Sequence, residues 1–202
     1  MAFLSRHTPI TILLLVAILI GYGLEARALA SGVPEDQVLI DLGANHPELV
    51  LQRGEWWRLV ASMFLHGGLM HLFLNGWALY QLGGLFEAWL GSTRLLATWF
   101  LSGIAGSLAS ILFTRSLSVG ASGAIFGLLG ALIAFLVRRR DVLNSGAKSL
   151  LGQLVLWAVI NVVFGFSVPR IDNAAHLGGF AAGFLLGLIL RPRRRLREAA
   201  SF

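Results

Sequence analysis

Long apolar stretches separated by short polar segments dominate this sequence. They cover six ranges: 9–29, 69–90, 95–113, 121–137, 150–166 and 174–190. A helix needs roughly 20 mostly apolar residues to cross the hydrocarbon core of a bilayer, so each stretch predicts a membrane-spanning helix. The pattern therefore predicts an all-α membrane protein, in which six transmembrane helices form one domain over residues 1–202.

The longest polar segment lies between the first two predicted spans, over residues 31–65. It contains prolines, several acids and the cluster Glu55-Trp56-Trp57-Arg58. We expect an external loop that is partly structured. Two interpretations of its tryptophans stay open: a belt at the headgroup level, or a structured loop that dips into the interface.

The first apolar stretch also has features of a signal peptide. Arg6 precedes a leucine-rich core, and the run Ala28-Leu29-Ala30 is similar to a cleavage site. The apolar stretch continues past the length of a typical signal-peptide core, which favours a retained helix.

The composition agrees with a bilayer as the solvent. Hydrophobic residues make up 56% of the chain and charged residues only 13%, whereas soluble domains carry about 25% charged residues. The chain has no cysteine, which excludes disulfides, a thiol nucleophile and thiolate metal ligands. Its formal net charge is +6, but the basic residues cluster beside apolar stretches and so indicate topology rather than nucleic-acid binding.

The basic residues are divided unequally between the two sides of the predicted bundle. One side has eleven of the sixteen lysines and arginines, and the other side has five. Those five are Arg27, Arg53, Arg58, Arg115 and Arg170. Because cytoplasmic loops carry the excess of Lys and Arg, both termini are predicted to be cytoplasmic.

A few hydrogen-bonding side chains interrupt the apolar stretches. His71 and Asn75 lie in the second span, Ser122 at the start of the fourth and His176 at the start of the sixth. Such side chains are rare in spans and usually face a bundle interior or a wet cavity. The predicted topology puts all four in the outer half of the membrane, where they can form one site.

Ser122 lies in the segment Gly120-Ala121-Ser122-Gly123-Ala124 at a predicted helix start. The segment departs from the hydrolase pattern G-x-S-x-G because its last residue is alanine. Free N–H groups at a helix N-terminus nevertheless suit an oxyanion. The alternative is that the small residues here only let helices pack closely.

His176 favours the catalytic interpretation, because an imidazole can take a proton from a serine hydroxyl near neutral pH. Small residues follow it on one helix face and can meet a similar stripe in the fourth span. The two stripes are Gly179, Gly183 and Gly187 in the sixth span, and Gly123, Gly127 and Ala131 in the fourth. Their close approach would bring Ser122 and His176 within reach of each other.

His71 and Asn75 are four residues apart and therefore share one helix face. Their donors can stabilise a tetrahedral oxyanion, each by about 3 kcal/mol, or they can join two helices. Both interpretations stay open. Asp172 is interpreted as a solvated loop acid rather than a third triad member, and Glu87 as a polar contact between helices. No metal site is predicted, because the chain lacks the HExxH pattern.

Together, these residues resemble the rhomboid protease family. Five of its elements occur in the family's order: Glu55-Trp56-Trp57-Arg58 for the Trp-Arg element, His71-Leu-Phe-Leu-Asn75 for HxxxN, Gly83 to Gly91 with Glu87 for GxxxExxxG, Gly120-Ala-Ser-Gly123 for GxSG, and Asn173 to Gly179 for the final histidine motif. The resemblance covers nearly the whole chain.

The resemblance implies a six-helix rhomboid bundle and a Ser122–His176 dyad that needs no acid. It implies an oxyanion hole formed by His71, Asn75 and the Ser122 N–H. Phe126 stands where the family usually has a tyrosine that packs on the histidine, and we expect little effect on the chemistry. Further residues are expected to line the cavity or support it: Gly120, Gly123, Phe126, Trp57 and Arg58.

The resemblance also implies an outward-opening, water-accessible cavity and the cleavage of other proteins' transmembrane segments near their outer ends. No cofactor and no nucleic acid are expected as partners, the expected location is a bacterial plasma membrane, and the oligomeric state stays open. One alternative is a non-catalytic rhomboid relative that binds membrane proteins, although such relatives generally lack the serine or the histidine. A small transporter would predict inverted repeats, which the sequence does not show.

Overall fold

The computed structural model describes residues 8–114, 116–168 and 171–192. Over these residues the chain forms nine α-helices. Six are long: α1 (Pro9–Leu29), α5 (Leu69–Leu90), α6 (Ser92–Phe113), α7 (Ser122–Val137), α8 (Ser145–Ser167) and α9 (Asn173–Ile189). Three short helices, α2 (Glu35–Leu42), α3 (Pro47–Leu51) and α4 (Arg58–Ala61), lie between α1 and α5, and a 3-10 turn (Ser62–Phe64) follows α4.

Each predicted apolar stretch coincides with one long helix, which confirms the all-α prediction. The largest error is at α8, which begins at Ser145 rather than at residue 150. Asn144 explains the difference, because its side chain accepts a hydrogen bond from the N–H of Ala147 and caps a polar first turn. The loop over residues 31–65 was predicted to be partly structured, and it contains the three short helices α2, α3 and α4. From the charge count, Arg6, Arg115, Arg170 and the arginines after residue 192 lie outside the described residues.

Not all six long helices have the length of a typical membrane span. Among the described residues, α1, α6 and α8 are long and apolar enough to cross a bilayer, and α5 adds a fourth span if it is joined to the α4 segment, which meets it at a bend of 94°. The remaining two helices, α7 and α9, are apolar but have only 16 and 17 residues. Every residue of α7 from Gly123 to Leu136 is buried. This helix is therefore enclosed by other helices.

The small residues of α7 and α9 bring these two helices into backbone contact. A Cβ atom added to Gly179 would collide with the backbone of Gly123, and one added to Gly183 would collide with that of Gly127. A Cβ on Gly187 would lie 2.7 Å from the Cα of Ala131. The predicted contact between the two stripes is confirmed.

Helix α6 is a third member of this packing, which the sequence analysis did not identify. A Cβ on Gly106 would lie 2.7 Å from the carbonyl oxygen of Ala175 and 3.4 Å from the Cα of Gly123. A Cβ on Gly178 would lie 2.5 Å from the Cβ of Ala109. Small residues therefore set the spacing of three helices around the start of α9.

Glu87 joins the N-terminus of α1 to the junction of α5 and α6. Its buried carboxylate accepts hydrogen bonds from the N–H of Ile10 (3.0 Å), the N–H and hydroxyl of Thr11 (both 2.8 Å) and the hydroxyl of Ser92 (2.6 Å). A carboxylate at a helix N-terminus satisfies free N–H groups and stabilises the helix dipole. The predicted polar contact between helices is confirmed.

A second buried carboxylate fixes the other end of α1. Glu25 accepts hydrogen bonds from the N–H groups of His66 (2.7 Å) and Gly67 (3.1 Å), in the turn before α5. Glu25 therefore joins the C-terminal end of α1 to the segment that precedes α5. The retention of α1 stays a prediction.

Candidate active site

Ser122 and His176 lie at the same end of the bundle. Ser122 is the first residue of α7, and His176 lies in the first turn of α9. The Oγ of Ser122 is 2.8 Å from the Nε2 of His176, a hydrogen-bond distance. When the hydroxyl donates to Nε2, the neutral ring carries its proton on Nδ1. This arrangement suits transfer of the serine proton to the imidazole.

Phe126 packs flat against the imidazole of His176. It lies one turn after Ser122 on α7, and its ring stacks on the His176 ring with centroids 4.2 Å apart and planes 9° apart. Both side chains are buried. The stacking restricts rotation of the histidine ring while leaving Nε2 directed at the serine.

The absence of a side chain at Gly120 lets His71 and Asn75 lie close to the segment that leads to Ser122. Its φ is +125°, a conformation that residues other than glycine rarely adopt. A Cβ at Gly120 would lie 2.7 Å and 2.8 Å from the Cε1 and Nε2 atoms of His71, and 3.8 Å from the Nδ2 of Asn75. The structure thus brings all four predicted polar residues of the site to one region.

The hydrogen bonds of α5 decide which atoms of His71 and Asn75 are free to donate. The Nδ1 of His71 is 2.9 Å from the carbonyl oxygen of His66. The amide nitrogen of Asn75 donates to the carbonyl oxygen of His71 at 3.1 Å. An asparagine amide has two N–H groups, so Asn75 keeps a second donor after this bond is made.

The segment over residues 31–65, here called the first loop, supports the residues before Ser122. It does so through Asn45, which the sequence analysis did not identify. The backbone N–H and carbonyl of Asn45 pair with Ser118 at 3.0 and 2.9 Å, and its amide donates to the carbonyl oxygen of Ser107 at 2.9 Å. The N–H of Gly120 donates to the carbonyl of Ser62 at 2.9 Å. No sequence pattern marks Asn45, because its partners lie more than 60 residues away.

Arg58 and Trp57 lie in the first loop and stabilise its conformation. Arg58 is buried and donates to the carbonyl oxygens of Ile40 (2.6 Å) and Ala44 (3.2 Å) and to the carboxylate of Glu55 (2.6 Å). Its guanidinium also lies 4.7 Å from the centre of the Trp57 ring. Since Ala44 precedes Asn45, Arg58 stabilises the part of the loop that pairs with Ser118.

The interpretation of Asp172 as a solvated loop acid is wrong. Its Oδ1 accepts a hydrogen bond from the N–H of Ala175 at 2.9 Å, so the residue is the N-cap of α9. The N–H of His176 donates to the backbone carbonyl of Asp172 at 3.1 Å. A capping acid at this position could have been recognised from its spacing to the start of the last apolar stretch.

His66 packs beside His71, with ring centroids 5.2 Å apart. Its side chain is fully buried, and neither ring nitrogen has a hydrogen-bond partner within the described part of the chain. Across those same residues, no three histidine or acidic side chains are grouped so that they could hold a metal ion.

Comparisons with known proteins identify the family to which this chain is similar. A family model described as the rhomboid domain matches residues 53–193. The chain is similar to RHOMBOID-like protein 5 of Arabidopsis thaliana, with 43% identity over 79% of this chain and 52% of that protein. It is similar to rhomboid protease GluP of Bacillus subtilis, with 39% identity over 79% of this chain and 31% of that protein.

A third relative is Rhomboid-like protease 5 of Toxoplasma gondii, which is 40% identical over 76% of this chain and 18% of its own length. The chain spans about half or less of the length of each of these relatives.

Proposed function

Because this chain belongs to the rhomboid family, we propose that it is an intramembrane serine endopeptidase that cleaves other proteins in or near their transmembrane segments. Its apolar helices and its family make it an integral membrane protein. The observation that carries the proposal is the 2.8 Å contact between Ser122 Oγ and His176 Nε2. The similarity to proteins named as proteases in Bacillus subtilis and Toxoplasma gondii supports it.

In the proposed reaction, Ser122 Oγ attacks the scissile carbonyl carbon while His176 Nε2 takes the hydroxyl proton. His176 then gives this proton to the leaving amine, and the C–N bond breaks to leave an ester on Ser122. In the second half, His176 takes a proton from water, which attacks the ester. The serine leaves with the proton from His176, and the N-terminal fragment of the substrate is released with a new carboxyl group.

The carbonyl oxygen becomes an oxyanion in each half of the reaction. We propose that the N–H of Ser122 and the second N–H of Asn75 stabilise it, together with the Nε2 of His71 when that ring is doubly protonated. The first N–H groups of an α-helix have no acceptor within the helix, and Ser122 begins α7. Donors that are already oriented stabilise the transition state without further reorganisation.

The proposed topology puts this site on the outer side of the membrane and both termini in the cytoplasm. Arg94, Arg138 and Arg139 lie at the end of the bundle opposite to Ser122, where they donate to carbonyl oxygens at or near the C-terminal end of α9. Such a concentration of arginine is typical of the cytoplasmic side. We propose the plasma membrane of a bacterium as the location, with transmembrane proteins as substrates.

The length of α7 supports a site below the outer membrane surface. Its 16 residues give a rise of about 24 Å, which is less than the roughly 30 Å of the hydrocarbon core. With the C-terminal end of α7 at the inner interface, Ser122 lies about 6 Å inside the outer edge of the core. Water must therefore enter from outside, past the first loop, to reach the site.

The test is cleavage of a single-span substrate by the purified chain in reconstituted membranes. Ser122→Ala and His176→Ala should each abolish cleavage and leave the protein folded, and Ser122→Ala should also abolish labelling by a fluorophosphonate. The two residues act as one unit, so the double variant should be no worse than either single variant. Cleavage at the wild-type rate by Ser122→Ala would refute the protease proposal and favour a non-catalytic binding protein.

A further inference from the structure

Two buried polar atoms near the start of α9 have complementary chemistry and no hydrogen-bond partner. They are the Oδ2 of Asp172 and the Nδ1 of His176, and neither has a partner among the residues that the structure describes. The first is an acceptor, and the second carries the ring proton when Nε2 accepts from Ser122. The two residues are joined by the backbone bond from the N–H of His176 to the carbonyl of Asp172.

The capping role of Asp172 uses only half of its carboxylate. Oδ1 accepts a hydrogen bond from the N–H of Ala175, whereas no group in the described part of the chain donates to Oδ2. A neutral asparagine or serine caps a helix about as well as aspartate. The cap alone therefore does not require a charged residue, and the negative charge is available for another role.

We propose that the Asp172 carboxylate is a positioning residue that stabilises the imidazolium form of His176 as Ser122 gives up its proton. This inference rests on the proposed function of the Ser122–His176 pair. A nearby carboxylate favours the protonated imidazole, and the attraction is strong where water is partly excluded. It also favours the tautomer with its proton on Nδ1, which leaves Nε2 free to accept from Ser122.

Few other charged groups face His176. Helix α7 contributes the uncharged Ser122 and Phe126, and α5 contributes His71. The charged residues within α6 and α8 are Arg94 and Lys148, both in the first turn of their helices and hence at the opposite end of the bundle. Across the described helices that pack around it, Asp172 therefore supplies the negative charge next to His176.

The experiment compares three substitutions at Asp172 in the full chain. Asp172→Asn and Asp172→Ser keep an oxygen that can cap α9 but remove the charge, while Asp172→Ala removes both. Asp141→Asn is the matched control, since it removes the same charge from an exposed side chain at the opposite end of the bundle. For each protein, the rate of fluorophosphonate labelling of Ser122 and the kcat for a single-span substrate are measured between pH 5 and 9, together with the Tm.

We expect Asp172→Asn and Asp172→Ser to keep a Tm near that of the wild type, and their kcat and labelling rate to fall about tenfold. Activity falls at low pH because a protonated His176 cannot act as the base. Without the carboxylate His176 is harder to protonate, so this fall should occur about one pH unit lower in both profiles. Asp141→Asn should change neither profile.

The inference would be refuted if Asp172→Asn and Asp172→Ser both kept the wild-type rates and pH profiles and only Asp172→Ala lowered the Tm. Asp172 would then be a helix cap and nothing more. This result would leave the proposed function intact, because the wild-type Ser122 would still be labelled. An unlabelled wild-type Ser122 that also fails to cleave substrate would instead refute the proposed function, and the inference with it.

Discussion

The Nδ1 of His71 lies 2.9 Å from the carbonyl oxygen of His66. A carbonyl oxygen only accepts hydrogen bonds, so Nδ1 must carry a proton. In the neutral ring, Nε2 then has none, and Nε2 is the atom that lies beside Gly120. His71 can therefore donate to an oxyanion only as the doubly protonated imidazolium.

The first prediction follows from this proton requirement. The benefit of His71 should be largest at low pH, because the imidazolium becomes scarcer as pH rises. The ratio of wild-type kcat to His71→Ala kcat should therefore shrink between pH 5 and pH 7 in reconstituted membranes. A large ratio that stays constant with pH would mean that His71 acts through its packing against Gly120 and not as a donor.

The second prediction concerns Asn75. Asn75→Ala should lower kcat about 100-fold with little change in KM, since an oxyanion donor acts mainly in the transition state. Asn161 on α8 is a matched control, because its amide also donates to the backbone carbonyl four residues earlier, that of Trp157. Asn161→Ala should leave kcat unchanged. Equal effects of the two substitutions would indicate that Asn75 only stabilises its helix.

The third prediction uses the contact between α7 and α9. Gly179→Ala places a methyl group against the carbonyl of Gly123, which must push the two helices apart. We expect a loss of about 1 to 3 kcal/mol in stability and a loss of fluorophosphonate labelling, because Ser122 and His176 lie on these helices. Gly152→Ala is the control, since a Cβ added there would point into open space. Normal labelling of Gly179→Ala would show that helix spacing does not control the pair.

The fourth prediction concerns topology, and the absence of native cysteine makes it simple to test. An impermeant maleimide added outside intact cells should label Arg53→Cys in the first loop but not Arg140→Cys between α7 and α8. Both positions are solvent-accessible: Arg53 is exposed, and the Arg140 side chain is 75% exposed. After the membrane is permeabilised, both should react. Labelling of Arg140→Cys in sealed cells would reverse the proposed orientation.

Sequence patterning was sufficient for the helices and for part of the site. Long uncharged apolar stretches identified the six long helices, because a bilayer favours such stretches in helices that cross it, although α7 and α9 are shorter than a typical span. The glycines of α7 and α9 could be matched in advance, because small residues four apart form a continuous stripe on one helix face. That match also predicted that Ser122 and His176 approach each other, although they are 54 residues apart.

Tertiary structure alone decided how the site is supported. Asn45 and Ser118 pair across two irregular segments, and Gly106 joins the packing around Ala175 through α6. These contacts depend on how loops and helices are placed in space, and loops carry no period from which a partner can be deduced. For the same reason, the proton on His71 Nδ1 and the buried Oδ2 of Asp172 became evident only once His66 and α9 had positions in the fold.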